Sequence, residues 1–195
     1  MNRRAEITRK TKETDITVAI DLDSQEDASI DTGIGFFDHM LNSFARHSGF
    51  GLKVKAVGDL HVDQHHTVED TGIVLGQAIA EALGDKAGIE RYGHFILPMD
   101  EALVLCAVDL CGRPYFCYDA DFTGYPLIGE YDSSLTREFF YAVSCSAAMN
   151  LHIRVLNNGN AHHVTEAMFK AFARAMREAV KKGFGTAIPS TKGAL

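Results

Sequence analysis

Apolar and polar residues alternate most clearly in two similar segments, KETDITVAIDL from Lys12 and DEALVLCAVDL from Asp100. The alternation recurs in a shorter pair, LKVK from Leu52 and LHIR from Leu151. A period of two residues is typical of a strand that buries one face. Because both pairs occur in the same order in the two parts of the chain, we predict an internal duplication.

Apolar residues recur at helical spacing between and after these strands. One helix is predicted in FFDHMLNSFARH, with Phe37, Leu41 and Phe44 on one stripe. Its counterpart is predicted in LTREFFYAVSCSAA, around Phe140 and Val143. Two longer helices are predicted in HHTVEDTGIVLGQAIAEAL and HHVTEAMFKAFARAMREAV, each of which begins on a pair of histidines. The order strands, helix, strand, helix therefore appears twice.

The repeated order predicts an α+β fold class with two similar halves, residues 1–92 and 93–195. The boundary lies in the segment between Gly88 and Gly93. Sheets and amphipathic helices each have an apolar face to bury, so we expect the halves to form one compact duplicated domain.

Composition narrows the class of protein. The 195 residues are 46% hydrophobic and 23% charged, which is ordinary for a soluble globular protein. No apolar run approaches the roughly 18 residues that a membrane span needs, and the N-terminal text has no apolar leader, so we expect a cytoplasmic protein with no membrane partner. A net charge of −7 argues against a nucleic-acid partner. The four cysteines show no C-x-x-C spacing, which favours buried free thiols.

Each long helix begins with a histidine that is followed four residues later by a glutamate. Residues at i and i+4 project from the same side of a helix. His65 and Glu69 therefore form a candidate two-ligand half-site. The second half repeats it with His162 and Glu166. A single such pair is most often only a solvated helix start, but two copies at equivalent positions of a duplication favour metal sites.

The neighbouring His66 and His163 point about 100° away from these half-sites. They should reach an ion held mainly by another half or another subunit. His39 and Glu138 occupy equivalent positions in the shorter helices. We predict that His39 joins the half-site of His65 and Glu69, and that Glu138 joins the half-site of His162 and Glu166. Nitrogen and oxygen donors without sulfur suit Mn, Fe(II), Co or Zn.

Cations and hydroxyls elsewhere suit a small anionic substrate. The C-terminal text IPSTKGAL offers Ser190, Thr191 and Lys192 to a phosphate, although such text is often only a frayed tail. Arg91 and Arg113 lie in loop text. Glu13 and the Asp100–Glu101 pair lie at matching places before a strand, and they are either acid/base carboxylates near a metal or exposed strand ends.

Six motifs together resemble the imidazoleglycerol-phosphate dehydratase family over essentially the whole chain: DHML, GDLHVDQHHTVED, DEAL, GRPYF, HHVTEAMFKAFARA and PSTKG. The resemblance implies a duplicated α+β body with a four-stranded sheet packed on two helices in each half. It also implies two Mn(II) ions per active site. It further implies a large homo-oligomer, of 24 subunits in the family, with active sites at subunit interfaces.

The resemblance also assigns residues to roles. The implied metal ligands are His39, His65, His66, Glu69, Glu138, His162, His163 and Glu166. Glu138 departs from the family pattern, because some members have histidine there, and this affects ion preference. The implied substrate-binding residues are Glu13, His47, Arg91, Arg113, Lys170, Ser190, Thr191 and Lys192. The implied catalytic residues are Glu13, Glu69, Asp100 and Glu166.

The implied reaction converts imidazole glycerol phosphate, a small phosphorylated imidazole, into imidazole acetol phosphate and water in L-histidine biosynthesis. In this reading the two ions bind the ring as an imidazolate, one at each ring nitrogen, which accounts for the doubled motif. Two other functions remain open. One is a dimetal hydrolase of a small phosphorylated substrate, and the other is a metal-binding oligomer that is not an enzyme.

Overall fold

A computed structural model of the protein describes residues 3–24, 27–122, 127–183 and 185–195. The first half contains β1 Arg4–Lys10, β2 Thr14–Asp21, β3 Ser29–Asp31, α1 Gly35–Ser48, β4 Gly51–Gly58 and α2 His65–Leu83. The second half contains β5 Tyr92–Met99, β6 Ala102–Asp109, β7 Tyr115–Asp119, β8 Leu127–Ile128, β9 Tyr131–Asp132, α3 Leu135–Ser146, β10 Asn150–Asn157 and α4 Ala161–Ala179.

Each half builds a four-stranded sheet with the same topology. The strand orders are β1-β2-β4-β3 and β5-β6-β10-β7. Within each sheet the first three strands are antiparallel neighbours, and the short fourth strand runs parallel to the third. The hairpins also share one register, since Arg4 pairs with Asp21 and Tyr92 pairs with Asp109. The predicted α+β duplication, with a four-stranded sheet in each half, is confirmed.

The halves differ by one insertion. A short hairpin, β8–β9, lies between β7 and α3 in the second half. In the first half, residues 32–34 connect β3 directly to α1. The hairpin adds the buried ring of Tyr131, which lies 5.2 Å from the ring of Phe36 at the start of α1.

The predicted apolar stripes form the core. Ile16 and Val18 of β2 and their counterparts on β6 are fully buried, as are Phe37 and Phe140 of the shorter helices. The long helices cover the sheets: α2 packs on β1 and β2, and α4 packs on β5 and β6.

Helices pair across the two halves. α1 packs against α4, and α2 packs against α3. The second crossing is close because α2 presents glycine there. A Cβ on Gly72 would lie 2.7 Å from the carbonyl oxygen of Phe139, and one on Gly76 would lie 2.7 Å from Cβ of Ser146. The other crossing is filled by aromatic rings, with Phe44 and Phe172 stacked at 5.3 Å between centroids.

The end of the chain returns to the junction between the halves. Gly183 donates its backbone N–H to the carbonyl of Gly88 at 2.8 Å, and Gly88 donates to the carbonyl of Ala187 at 2.9 Å. The predicted division after residue 92 falls at the first residue of β5, and it remains a prediction.

Two further expectations concern cysteines and membranes. Cys106 and Cys111 are buried free thiols, as predicted, whereas Cys145 is exposed. Within the described ranges, no helix has both the length and the apolar character for a bilayer crossing. The cytoplasmic location stays a prediction.

We expect Gly72→Ala to lower the free energy of unfolding by about 1–3 kcal/mol, because the added methyl overpacks the crossing of α2 and α3. Gly35→Ala is the matched control, since its Cβ would meet no atom within 4 Å and its φ needs no glycine. Chemical denaturation of both variants measures the difference. Equal stability of Gly72→Ala and the parent would show that the helices can separate at little cost.

Candidate metal centres and phosphate site

The two histidine pairs lie in the first turns of α2 and α4. Asn160 caps α4, and its side chain accepts the backbone N–H of His162 at 2.9 Å. Asp63 accepts the backbone N–H of His65 at 2.8 Å. These side-chain contacts satisfy N–H groups that a helix start leaves free. They also fix the direction in which each helix presents its histidines.

Two three-residue clusters in the described part of the chain have the chemistry of a metal site. One is Asp100, Glu101 and His163, and the other joins residues of both halves. Nε2 of His162 lies 3.1 Å from Oε2 of Glu166, and Nε2 of His39 lies 3.5 Å from the same oxygen. The offered atoms of these three residues all lie within 4.8 Å of one another. The other oxygen of Glu166 is 2.6 Å from Nζ of Lys170.

This cluster corrects one prediction. His39 was expected to join His65 of its own half, but it meets His162, because α1 packs on α4. Glu138 of α3 likewise lines a cavity of about 530 Å³ with His65 and not with His162. The grouping within each half was therefore wrong. Each site takes its short-helix ligand from the opposite half.

His65 and Glu69 form a looser pair than their counterparts in α4. Nε2 of His65 lies 3.6 Å from Oε2 of Glu69, and both side chains are partly exposed. Glu138 accepts a hydrogen bond from its neighbour Arg137 at 2.8 Å. The second candidate site therefore has His65 and Glu138 on one cavity and Glu69 beside His65, and these residues converge less than those of the first.

His66 and His163 each contact a carboxylate other than the glutamate that pairs with the neighbouring histidine. The ring of His66 is at 89° to that of His65, and the ring of His163 is at 77° to that of His162. Each turned ring meets a carboxylate through Nδ1. His66 lies 3.0 Å from Asp59 in this way, and His163 lies 3.0 Å from Glu101. Two more candidates lie nearby but are not hydrogen-bonded. These are Glu13, at 3.9 Å from His66, and Asp100, at 3.7 Å from Nε2 of His163.

Two carboxylates at this end are held in the charged form. Burial acts to raise the pKa of Glu166, but Lys170 and the nearby His39 and His162 outweigh it, so the pKa falls below its usual value. The backbone N–H groups of Asn160 and of Glu101 itself, together with His163, lower the pKa of Glu101 to about 2. The hydrogen bond to Asp59 raises the pKa of His66.

The candidate phosphate residues gather at the opposite end of the subunit. Arg91 donates to both carboxylate oxygens of Asp109, at 2.7 and 3.1 Å, and to the carbonyl of Pro189 at 2.9 Å. It therefore holds the segment that continues into Ser190, Thr191 and Lys192. Arg113 follows Gly112, where a Cβ would lie 2.8 Å from the carbonyl carbon of Leu195. Arg113 thus lies beside the same tail.

The two ends are far apart within one chain. The backbone N–H of Arg91 donates to the carbonyl of Ala179, at the last residue of α4. His163 lies at the start of that helix, and at 1.5 Å per residue the intervening stretch spans ~24 Å. The eight residues of β5 separate Arg91 from Glu101 by a similar distance, ~27 Å at about 3.4 Å per residue.

Two residues assigned to substrate binding lie instead at the end of the subunit that carries the two histidine pairs and Glu166. This end, where the candidate metal ligands lie, is called the metal end below. Lys170 is ion-paired with Glu166. His47 lies near Lys170, since burial first and the cations Lys170 and Arg174 next lower its pKa. The set assigned to the substrate therefore divides between the two ends of the subunit.

Several residues at the metal end were missed from the sequence. Asp59 precedes α2 without any repeated pattern to mark it. Glu101 was named with Asp100 as a candidate acid/base carboxylate, because the pair matches Glu13 in the duplicated strands, but its contact with His163 was not predicted. The inserted hairpin also contributes. Gln64 donates to the carbonyl of Glu130 at 3.0 Å, and the ring of Phe36 lies 5.0 Å from that of His162. No repeat could reveal this hairpin.

Comparison with known proteins places the chain among close relatives. The sequence model of the family described as Imidazoleglycerol-phosphate dehydratase matches residues 32–176. An imidazoleglycerol-phosphate dehydratase from Lachnoclostridium phytofermentans is 63% identical over 179 residues, covering 92% of this chain and 91% of the relative. One from Acetivibrio thermocellus is 54% identical over 196 residues, covering 100% of both chains.

Solved structures agree with the sequence comparison. The crystal structure of imidazoleglycerol-phosphate dehydratase from Staphylococcus aureus superposes with a TM-score of 0.83 at 40% identity, covering 92% of this chain and 99% of that one. The crystal structure of IGPD from Pyrococcus furiosus in complex with (S)-C348 has a TM-score of 0.85 at 38% identity, covering 97% and 100%.

The cross-half grouping predicts which variants act together. We expect His39→Ala and His162→Ala to weaken the same Mn(II)-binding event, and His65→Ala to weaken a different one. Titration with Mn(II), with free ion counted by electron paramagnetic resonance, separates the two events. His152→Ala is the control, since its ring packs 5.6 Å from that of Tyr115, outside the clusters. If His39→Ala altered the event that His65→Ala alters, the grouping would be refuted.

Proposed function

Because the chain belongs to the imidazoleglycerol-phosphate dehydratase family, we propose that it removes water from imidazole glycerol phosphate to give imidazole acetol phosphate, in L-histidine biosynthesis. Family membership supports the class of reaction. One observation on the site carries the proposal further. His39 and His162 converge on Glu166 at one helix start, and the duplicated positions at the other helix start offer a second set of donors.

The donors fit Mn(II), and we assign two ions to each active site. The candidate ligands are imidazole nitrogens and carboxylate oxygens with no sulfur, which suits a catalytic ion with open coordination positions. His39, His162 and Glu166 would hold one ion. His65, Glu69 and Glu138 would hold the other, and His66 and His163 would complete the two sites. Bound there, the ions would act as Lewis acids that hold and polarise the imidazole ring of the substrate.

We assign proton transfer to exposed carboxylates that are not held in a close hydrogen bond or ion pair. The reaction takes a proton from the carbon that becomes the ketone, and the hydroxyl beside the ring leaves as water after gaining a proton. Glu13 is exposed and faces His66 at 3.9 Å, so we assign it the first step. Asp100 is exposed beside His163 and is the candidate for the second. Glu166 is tied to Lys170, and so suits a ligand better than an acid.

The residues for phosphate belong to a neighbouring subunit in this proposal. Arg91 contacts the last residue of α4, ~24 Å along that helix from His163 of its own chain, and it holds the segment that leads to Lys192. That distance is much longer than a phosphorylated glycerol chain with one ring. A neighbour's tail would therefore complete each metal end, which agrees with the large homo-oligomer that the family resemblance implies. Subunits with incomplete sites would bind both ions and substrate poorly on their own.

Direct assay with imidazole glycerol phosphate tests the function. We expect formation of the ketone product with Mn(II) and loss of turnover after chelation or in His162→Ala, while His152→Ala keeps the parent rate. The two open alternatives have different outcomes. A dimetal hydrolase would release inorganic phosphate and no ketone. A metal-binding oligomer would take up Mn(II) and turn over nothing. Either result with the parent protein would overturn the proposal.

A further inference from the structure

We propose that Asp59 and Glu101 are positioning residues, which hold Nδ1–H of His66 and His163 so that each ring presents Nε2 to an ion. The inference rests on the proposed function, because it concerns the metals assigned there. Asp59 was assigned no role from the sequence, and Glu101 was considered there only as an acid/base carboxylate near a metal or as an exposed strand end. Both would act through a histidine, and neither would touch the substrate.

The contacts have the same form at both histidines. The two oxygens of Asp59 lie 3.0 and 3.2 Å from Nδ1 of His66, and those of Glu101 lie 3.0 and 3.3 Å from Nδ1 of His163. A hydrogen bond occupies the in-plane direction along which Nδ1 could otherwise hold an ion. The nitrogen left for metal binding is therefore Nε2. Carboxylates that fix a histidine ligand in this way set its tautomer and its orientation.

The two halves supply the carboxylate from non-equivalent places. The counterpart of Glu101 is Glu13, which lies 3.9 Å from His66 and makes no hydrogen bond to it. The residue directly after β4 is Asp59, and its counterpart after β10 is Asn158, which donates to the carbonyl of Asp121 at 2.9 Å. Inheritance of one ancestral contact does not account for both pairs. A shared chemical requirement at Nδ1 does.

Because the two halves use different carboxylates, one carboxylate can hold the histidine ring while another is free for proton transfer. A single glutamate could not do both. Glu101 accepts the backbone N–H of Asn160 at 2.6 Å in addition to His163, so its oxygens are occupied. Its side chain also lies directly against Gly159, where a Cβ would collide with it. Because Asp59 serves His66 in the first half, Glu13 is left without a hydrogen bond to that ring. The carboxylate assigned to proton transfer is thus free because another carboxylate holds the histidine.

Mn(II) titration of the variants tests the inference without measuring turnover. We expect Asp59→Ala and Glu101→Ala each to weaken Mn(II) binding roughly 10- to 100-fold at one class of site. The double variant should weaken both classes. Asn158→Ala is the matched control for Asp59→Ala, and it should bind Mn(II) as the parent does. Thermal unfolding of the metal-free proteins is measured in parallel, and Asp59→Ala should unfold at the parent temperature.

The outcomes separate the inference from the function it rests on. If the parent protein binds no Mn(II), the proposed function fails. If the parent binds Mn(II) and the variants bind it equally well, the positioning role is overturned. A lower unfolding temperature with unchanged Mn(II) affinity would also overturn it, because the carboxylates would then be only structural. Should Asp59→Ala not fold, Asp59→Val fills the space without offering an acceptor to Nδ1–H, and an unchanged affinity in that variant contradicts the inference.

Discussion

Packing of helices across the two halves is the constraint on which the candidate site depends. α1 lies on α4 and α2 lies on α3, so both candidate sites at the helix starts combine residues from the two halves of the chain. The close crossing at Gly72 and Gly76 leaves no room for even a methyl group. Because α3 is held there, Glu138 shares a cavity with His65. The fold therefore builds the two related sites that we propose for metal ions from one duplicated motif.

A second consequence concerns how much of the chemistry one subunit contains. The metal end has paired imidazoles and carboxylates, and the opposite end has Arg91, Arg113 and the tail. Both ends are well ordered by local contacts, such as the two-pronged pair between Arg91 and Asp109. The distance between them is set by the length of α4 and β5, and no side-chain movement can close it. Self-association thus becomes part of the proposed chemistry rather than an addition to it.

The sequence predicted the secondary-structure elements better than it predicted which elements pack against each other. Hydrophobic periodicity shows which face of a helix is buried, so the stripe of Phe37 and the strand around Ile16 were both correct. The spacing of His162 and Glu166 gave their common direction from the helix axis alone. Periodicity does not show which helix covers that face, so His39 was placed in the wrong group.

Other features had no signal in a single sequence. The contact of Asp59 with His66 depends on the path of a short loop, which spacing does not determine. The β8–β9 hairpin interrupts the duplication, so comparison of the halves could not place it. The distance of Arg91 from the histidines depends on which end of each element faces which end of the next. Such information comes only from the assembled topology.

Hybrid oligomers test the central claim, that one active site takes its metal end and its phosphate end from different subunits. His162→Ala impairs only the first end, and the double variant Arg113→Ala/Lys192→Ala impairs only the second. Both forms would be co-expressed with different tags, purified as mixed particles and assayed with imidazole glycerol phosphate and Mn(II). The account predicts that the hybrids recover turnover well above that of either variant alone, since some sites then combine two intact ends. Hybrids no more active than the two parent variants would contradict it.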